Sequence, residues 1–323
     1  MTPTTMKAMV RTEYGSADVL SFQEVAKPVP GAGEVLIRVG AASINASDTE
    51  GLQGKPLYAR IDGPFHPRTR ILGSDVAGTV EAVGEGVEQF QVGDEVFGDT
   101  LYHGAGAFAE YVCVKETAPL VIKPPHLTFE QAATLPQAAV IALQAITERV
   151  QSGDRVLING AGGGAGTFSM QLAKVAGARV TGVDNEWKQE HMSSQGADRV
   201  IDYRREDYTA ERGRYDFILD LAGHRSIFAI ARALAPGGQY AVVGGSVASL
   251  LQAVTLGRLV GRKNRFGILI VRPNKVDLEK AASLVGKGTL RPVIDRIFPL
   301  AKTAEALRYV GEGRALGKVV ISV

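Results

Sequence analysis

The stretch Val156-Leu157-Ile158-Asn159-Gly160-Ala161-Gly162-Gly163-Gly164-Ala165-Gly166 decides the fold. Its first three residues read as a buried strand and the run of glycine and alanine as a tight turn. Thr167-Phe168-Ser169-Met170-Gln171-Leu172-Ala173-Lys174 then reads as a helix. A second strand, Arg179-Val180-Thr181-Gly182-Val183, ends in Asp184, eighteen positions beyond Gly166. Strand, glycine turn, helix, strand and terminal acid together make a dinucleotide fingerprint. Small residues let the backbone approach a pyrophosphate, and the helix N-terminus offers unpaired N–H groups to its charge. An acid about 20 residues on meets a ribose hydroxyl. Ala161, Gly162, Gly163, Gly164 and Ala165 are therefore expected to line a nicotinamide dinucleotide. Asp184 is expected at its ribose, with a solvated turn residue as the plainer alternative.

Downstream, the same alternation continues. Phe217-Ile218-Leu219-Asp220 and Gln239-Tyr240-Ala241-Val242-Val243 are apolar strands separated by amphipathic helices. This pattern implies a parallel sheet covered on both faces, the doubly wound Rossmann arrangement of an α/β protein. Upstream, Glu34-Val35-Leu36-Ile37-Arg38-Val39, Gly78-Thr79-Val80-Glu81-Ala82-Val83-Gly84 and Gly93-Asp94-Glu95-Val96-Phe97-Gly98 are short strands punctuated by glycine. Pro124-Pro125 and a helix start capped by Thr128 mark the change between the two patterns. The tail from about Arg291 returns to short strands. The expected division is a β-rich domain from 1–122 and 265–323, and a dinucleotide-binding domain from 123–264.

Composition narrows the function. A chain of 323 residues with 45% hydrophobic and 22% charged residues has the length of two ordinary globular domains. Its 36 basic and 34 acidic residues leave a formal charge of +2 with no long block of one sign, which argues against nucleic acid as a partner. No apolar run is long enough to span a bilayer. Met1-Thr2-Pro3-Thr4-Thr5-Met6-Lys7 lacks the charged and apolar regions of a secretory leader, so a cytoplasmic location is expected. The single cysteine, Cys113, lies in the apolar alternation Ala109-Glu110-Tyr111-Val112-Cys113-Val114 and reads as a buried thiol rather than a nucleophile. The five histidines are scattered, without the spacing of a metal site.

Several further stretches carry a family resemblance. They are Ala42-Ser43-Ile44-Asn45-Ala46-Ser47-Asp48, Leu72-Gly73-Ser74-Asp75-Val76-Ala77-Gly78, Gln91-Val92-Gly93-Asp94-Glu95-Val96-Phe97-Gly98, Ala133-Thr134-Leu135-Pro136, Gly196-Ala197-Asp198 and Gly317-Lys318-Val319-Val320. With the glycine turn, they resemble the medium-chain dehydrogenase/reductase superfamily, and within it the zinc-independent quinone oxidoreductases, over nearly the whole chain. The resemblance implies a GroES-like catalytic domain beside the Rossmann domain. Zinc alcohol dehydrogenases of the superfamily carry cysteine where this chain has Asn45 and a histidine-glutamate pair where it has Ser74-Asp75. Asparagine and serine supply neither thiolate nor imidazole, so no catalytic zinc is expected. The implied chemistry is hydride transfer from the nicotinamide to a conjugated enone, enal or quinone, a small-molecule substrate. The protein would contribute positioning and hydrogen bonds to the developing oxyanion.

The resemblance also implies roles. Asn45 matches an asparagine that faces the nicotinamide; the alternative is a cap for the following turn. Relatives often have a tyrosine where this chain has Glu50, which leaves Lys55 and Tyr58 as candidate proton donors, with solvent as the alternative. Ala222-Gly223 and Gly244-Gly245 are expected near the nicotinamide ribose, and Lys318 near the cofactor. At the adenosine end, Asn185 and Trp187 replace the serine and arginine of relatives that bind a 2′-phosphate. Lys188 and Tyr203 remain as possible contacts there. Asp184 adds a charge that would repel the phosphate by roughly 4 kcal/mol per unit charge at about 4 Å and an effective dielectric near 20, so NADH is expected over NADPH. Phe266-Gly267-Ile268-Leu269-Ile270-Val271 resembles a strand that extends the sheet across a homodimer. Two alternatives stand beside the reductase: a biosynthetic enoyl reductase for one intermediate, and a non-catalytic nicotinamide-binding redox sensor.

Overall fold

The N-terminal strands β1 (Thr5–Val10) and β2 (Ser21–Ala26) form an antiparallel pair in which Thr5 faces Ala26 and Val10 faces Ser21. The structure is a computed structural model describing residues 4–60, 62–260 and 264–323. Residues 1–3, part of the N-terminal stretch read for a leader, lie outside the described residues. The long strand β3 (Glu34–Ser43) leads into helix α1 (Ala46–Gln53), and β4 (Asp75–Val83) and β5 (Glu95–Asp99) follow. Next come β6 (Tyr111–Lys115), β7 (Leu120–Ile122) and helix α2 (Phe129–Ala133). Thr128 caps α2: its hydroxyl accepts from Gln131 N, while the Gln131 side chain accepts from Thr128 N.

Helix α3 (Ala138–Ile146) opens the second pattern. After it come β8 (Arg155–Asn159), helix α4 (Gly164–Val175), β9 (Arg179–Asp184) and β10 (Arg199–Asp202). Then follow β11 (Tyr215–Asp220), β12 (Leu234–Val242) and β13 (Arg265–Ile268). These strands run parallel in the order β10-β9-β8-β11-β12-β13. The order reverses between β8 and β11, and open α/β sheets bind ligands at the carboxyl ends of strands flanking such a reversal. Val156, Leu157, Ile158, Ile218 and Leu219 are wholly buried, as a parallel sheet covered on both faces requires.

The tail supplies β14 (Ile294–Pro299) and β15 (Lys318–Ser322). They complete a second sheet in the order β14-β15-β3-β4-β5-β7, with β6 also paired to β3. Its core contains Val35, Ile37, Val39, Val76, Val96, Phe108, Leu120, Val319 and Ile321.

Two compact units result. One takes the chain through Gln137 with Pro273–Lys287 and Ile294–Val323; the other holds Ala138–Arg272 and Gly288–Val293. These limits differ from the division expected at 122/123 and 264/265, for two physical reasons. Helix α2 belongs to the β-rich unit because Gly40 on β3 leaves space for Phe129; a Cβ at Gly40 would lie 2.7 Å from its ring. Strand β13 belongs to the parallel sheet because Arg265 through Ile268 pair in register with Gln239 through Val242.

Candidate active site

In the α/β unit the glycine turn is made by backbone. Gly160 leaves β8 with φ +85°, and the N–H groups of Gly160 and Ala161 donate to Val183 O at 2.9 and 3.1 Å. Gly163 is the N-cap of α4, and no side chain caps it. A Cβ at Gly163 would meet only Gly160 O, at 3.5 Å, so the space in front of the helix N-terminus is open to an anion. Gly166 lies behind the turn, where a Cβ would come within 2.2 Å of Gly160 O. Its absence lets the helix pack on the strand.

Asp184 holds this turn together. One oxygen accepts from Gly162 N at 3.1 Å and lies 3.4 Å from Lys188 Nζ; the other accepts from Asn185 N at 2.9 Å. Asp184, Asn185 and Lys188 are all buried. The Lys188 side chain packs where a Cβ on Gly162 would be, 2.6 Å from its Cδ. Tyr203 N donates to Asp184 O at 3.1 Å, leaving the Tyr203 ring half-exposed beside the Arg204 guanidinium, which also lies 5.3 Å from the Trp187 ring.

At the ends of β11 and β12, Gly223 N donates to Gly244 O at 3.1 Å, and Gly223 forms a bridge with Gly245, whose φ is +130°. A side chain at Gly245 would strike the Gly223 backbone. Ala222 N donates to Asp220 Oδ1. Asp220 is wholly buried; it accepts from Asn159 Nδ2 at 2.7 Å and from Tyr240 Oη at 3.0 Å, and burial raises its pKa. This group beneath the switch point was not singled out from sequence, although an acid and an amide ending neighbouring apolar strands were a usable signal.

The β-rich unit gathers a second group. Asp75 opens β4 and is paired with Ser43 on one side and Asp99 on the other. The Asp75 carboxylate accepts from Ser43 Oγ at 2.7 Å, from Gln137 N at 3.2 Å and from Lys318 Nζ at 3.2 Å. Lys318, which opens β15, also donates to Asn45 Oδ1 at 2.6 Å and Ile44 O at 3.2 Å. Asn45 is the N-cap of α1. Its N–H donates to Asp48 at 2.8 Å and its Nδ2 to Ser74 Oγ at 3.3 Å, and Ser74 in turn donates to Asp48 at 3.2 Å. Ser47 Oγ donates to Gln137 Oε1.

Three carboxyl groups, Asp48, Asp75 and Asp99, are thus buried near one another, and of the three it is Asp75 that pairs with the buried Lys318. Burial pushes Asp48 up to about 7; the Asp75 charge adds to the rise, while the Asn45 N–H, Lys318 and Ser74 oppose it. Asp99 is likewise raised to about 7 by burial and by Asp75. Its Oδ1 accepts from Leu101 N, whereas Oδ2 completes no hydrogen bond; the nearby Gln137 amide, which also completes none through Nε2, only moderates the rise.

Lys318, expected beside the cofactor, has three acceptors inside the β-rich unit. Tyr58 donates to Glu50 Oε2 at 3.4 Å; burial and the Glu50 charge raise the phenol to about 12, which makes it a weaker acid. The Lys55 side chain is exposed, and its backbone N–H donates to Glu50 O. Neither Lys55 nor Tyr58 joins the hydrogen-bonded group around Asn45. Sequence reasoning missed the way Ser43, Ser74, Asp75, Asp99 and Gln137 gather around Asn45, because those residues come from four separate segments.

Comparison with known proteins fits both units. Residues 31–125 match the alcohol dehydrogenase GroES-like domain, and residues 195–321 match the zinc-binding dehydrogenase family. A 2-methylene-furan-3-one reductase of Solanum lycopersicum is 35% identical over 99% of this chain and 79% of its own length. An NADPH-dependent alkenal/one oxidoreductase, chloroplastic, of Arabidopsis thaliana is 33% identical over 99% of this chain and 80% of its own. The solved quinone oxidoreductase of Coxiella burnetii superposes with a TM-score of 0.90 at 30% identity, covering 99% of each chain. The fold is a Rossmann sheet with a GroES-like domain, and the cofactor class is a pyridine nucleotide. The chain belongs to the medium-chain dehydrogenase/reductase superfamily, in the group of NAD(P)H-dependent quinone and enone oxidoreductases.

Proposed function

We propose that this chain is a zinc-independent reductase that uses a nicotinamide dinucleotide to reduce a conjugated enone, enal or quinone. The observation that carries the proposal is the donor set at Asn45. The side chains there are an amide, a hydroxyl and an ammonium, with Lys318 Nζ 2.6 Å from Asn45 Oδ1, and the Asp48 and Asp75 carboxyl groups are already taken by Ser74 and Lys318. A catalytic zinc does not fit this set: no thiolate or imidazole is present, and a resident ammonium opposes a second cation. Such a set suits an acceptor whose oxygen gains negative charge.

The dinucleotide would be held by Ala161, Gly162, Gly163, Gly164 and Ala165 at the α4 N-terminus, and by the Gly223 and Gly244–Gly245 backbones. Asp184, Asn185, Lys188 and Tyr203 would surround the adenosine. When bound, the reduced nicotinamide supplies hydride. Asn45 offers a hydrogen bond to the acceptor, and Asp48 and Ser74 fix the entry of α1. Lys55, which is exposed, and Tyr58, whose raised pKa makes it a weaker acid, stand beside water as proton donors. Water serves that role as readily.

The cofactor preference narrows. Asp184 was expected to repel a 2′-phosphate as an isolated charge, but Lys188 lies 3.4 Å from it and offsets most of that field. We propose a small preference for NADH, with NADPH also used. A cytoplasmic homodimer completes the reading. The dimer is supported by β13, which ends the parallel sheet with only β12 beside it among the described residues. A single cysteine suits a reducing compartment.

The test is to follow the absorbance of NADH and NADPH with 9,10-phenanthrenequinone, an enal and a simple ketone. Turnover of the first two supports the proposal. Turnover confined to one elaborate substrate favours a biosynthetic reductase. Cofactor binding with no turnover of any acceptor favours a redox sensor. Native mass spectrometry tests the dimer, and cell fractionation the location.

A further inference from the structure

The buried ammonium of Lys318 imposes a direction on the Asn45 amide. An ammonium has three donors and no acceptor, so the amide atom facing it must be oxygen. Lys318 Nζ lies 2.6 Å from Asn45 Oδ1, and its other two acceptors, Ile44 O and Asp75 Oδ2, are each at 3.2 Å. All three protons are directed at oxygens of the β-rich unit. Lys318 is 2% exposed, so no solvent competes for them. The amide nitrogen therefore turns away from the lysine. One of its hydrogens goes to Ser74 Oγ at 3.3 Å, and among the described residues no acceptor takes the second. Asn45 itself is partly exposed, whereas Ser43, Ser74, Asp75 and Lys318 behind it are buried.

We infer that Lys318 is a positioning residue for Asn45: it fixes Oδ1 inward and leaves one Nδ2–H free to donate to the carbonyl oxygen of the acceptor. This rests on the proposed reductase reading. The Lys318 ammonium at Oδ1 draws electrons from the amide nitrogen and strengthens the outward donor. Hydride addition to the β-carbon of an enone places two electrons in the conjugated system and a negative charge on oxygen, and a proton from water then completes the saturated product. Asn45 neither gains nor loses a proton in these steps. Its hydrogen bond is weak to a neutral carbonyl and strong to the oxyanion, so the effect falls on turnover more than on binding. A lysine that instead held the cofactor would act on cofactor affinity.

The test pairs an NMR measurement with kinetics. The side-chain amide resonances of Asn45 are identified by their loss in Asn45→Ser. Lys318→Met, which keeps length without charge, is expected to shift them and speed their hydrogen exchange. It should lower kcat about 10-fold or more while the Kd for NADH moves less than about 2-fold. Lys318→Arg should restore part of the lost turnover. If the buried Asp75 charge keeps Lys318→Met from folding, Lys318→Met with Asp75→Asn removes both charges and carries the same expectations. Unchanged Asn45 resonances overturn the inference, as does a raised Kd with unaltered kcat. If the wild type reduces none of the acceptors while the Asn45 resonances respond as expected, the reductase reading falls and the positioning of the amide stands.

Discussion

The two units hold their sites by opposite means. At 160–166 the site is backbone: glycine gives room, and the Asp184 carboxylate is paired with Lys188 and bonded to Gly162 N and Asn185 N. At Asn45 the site is side chain on side chain, with Lys318 paired to Asp75 and the carboxyl groups of Asp48 and Asp99 close to Asp75. The first arrangement is nearly neutral and depends on shape. The second has more buried acid than base, and burial, with the Asp75 charge adding to it, raises Asp48 and Asp99 to about 7. A backbone site should fail when volume is added, and a side-chain site when charge is moved.

The largest effect is expected from volume at the turn. Gly166→Val places atoms within van der Waals reach of Gly160 O and Ala161, and should abolish dinucleotide binding in an NADH fluorescence titration. Gly163→Ala meets only Gly160 O at 3.5 Å; it should fold normally by circular dichroism yet bind NADH about 10-fold or more weakly, as its methyl enters the pyrophosphate space. Wild-type affinity in Gly163→Ala would show that the open space is not the phosphate site.

Next, Asn45→Ala should lower kcat/KM for an enone by about 100-fold, the usual scale for losing one oxyanion donor, while cofactor affinity changes less. Equal losses in both would move Asn45 from the acceptor to the cofactor.

A smaller effect concerns pH. Asp48 has a folded pKa near 7 against an ordinary 3.8, so the folded protein binds the extra proton between those values. Stability from this group is present below about pH 4 and is lost as pH rises through 7, by about 4 kcal/mol at most. Urea unfolding between pH 4.5 and 8, a range chosen to bracket roughly that transition, should therefore show a shallower decline in Asp48→Asn than in wild type. Parallel profiles would mean that Asp48 stays ionised throughout.

The smallest effect is at Lys188. Lys188→Ala bares the Asp184 charge and should widen the NADH preference by about 5-fold, near 1 kcal/mol. A ratio that moves toward NADPH would place Lys188 away from the phosphate.

The same contrast explains what could be read in advance. The dinucleotide turn was legible because local sequence makes it: Gly160 takes a positive φ, Gly163 leaves the helix N-terminus open, and Gly166 lies against the Gly160 and Ala161 backbone. The apolar strands 156–158 and 217–219 were legible because burial on both faces leaves an unbroken hydrophobic run. What Asp184 does was not, since its spacing fits a ribose ligand and a brace for Gly162 equally well. Strand β13 was assigned to the other domain because four residues, Arg265–Ile268, carry little pattern and its membership depends on the register with β12. The surroundings of Asn45 were hidden for a similar reason. Lys318 is 273 residues away in sequence, and only the pairing of β15 with β3 brings it there.

Cys113 has a consequence for an enzyme proposed to handle conjugated enals. Such acceptors alkylate thiolates, so a protein that holds them is exposed to damage by its own substrate. This chain has one thiol, half-buried on β6, and burial together with the Glu34 charge raises it to about 11. Roughly one molecule in ten thousand would carry the reactive thiolate at neutral pH. An enal should therefore alkylate Cys113 far more slowly than an ordinary free cysteine.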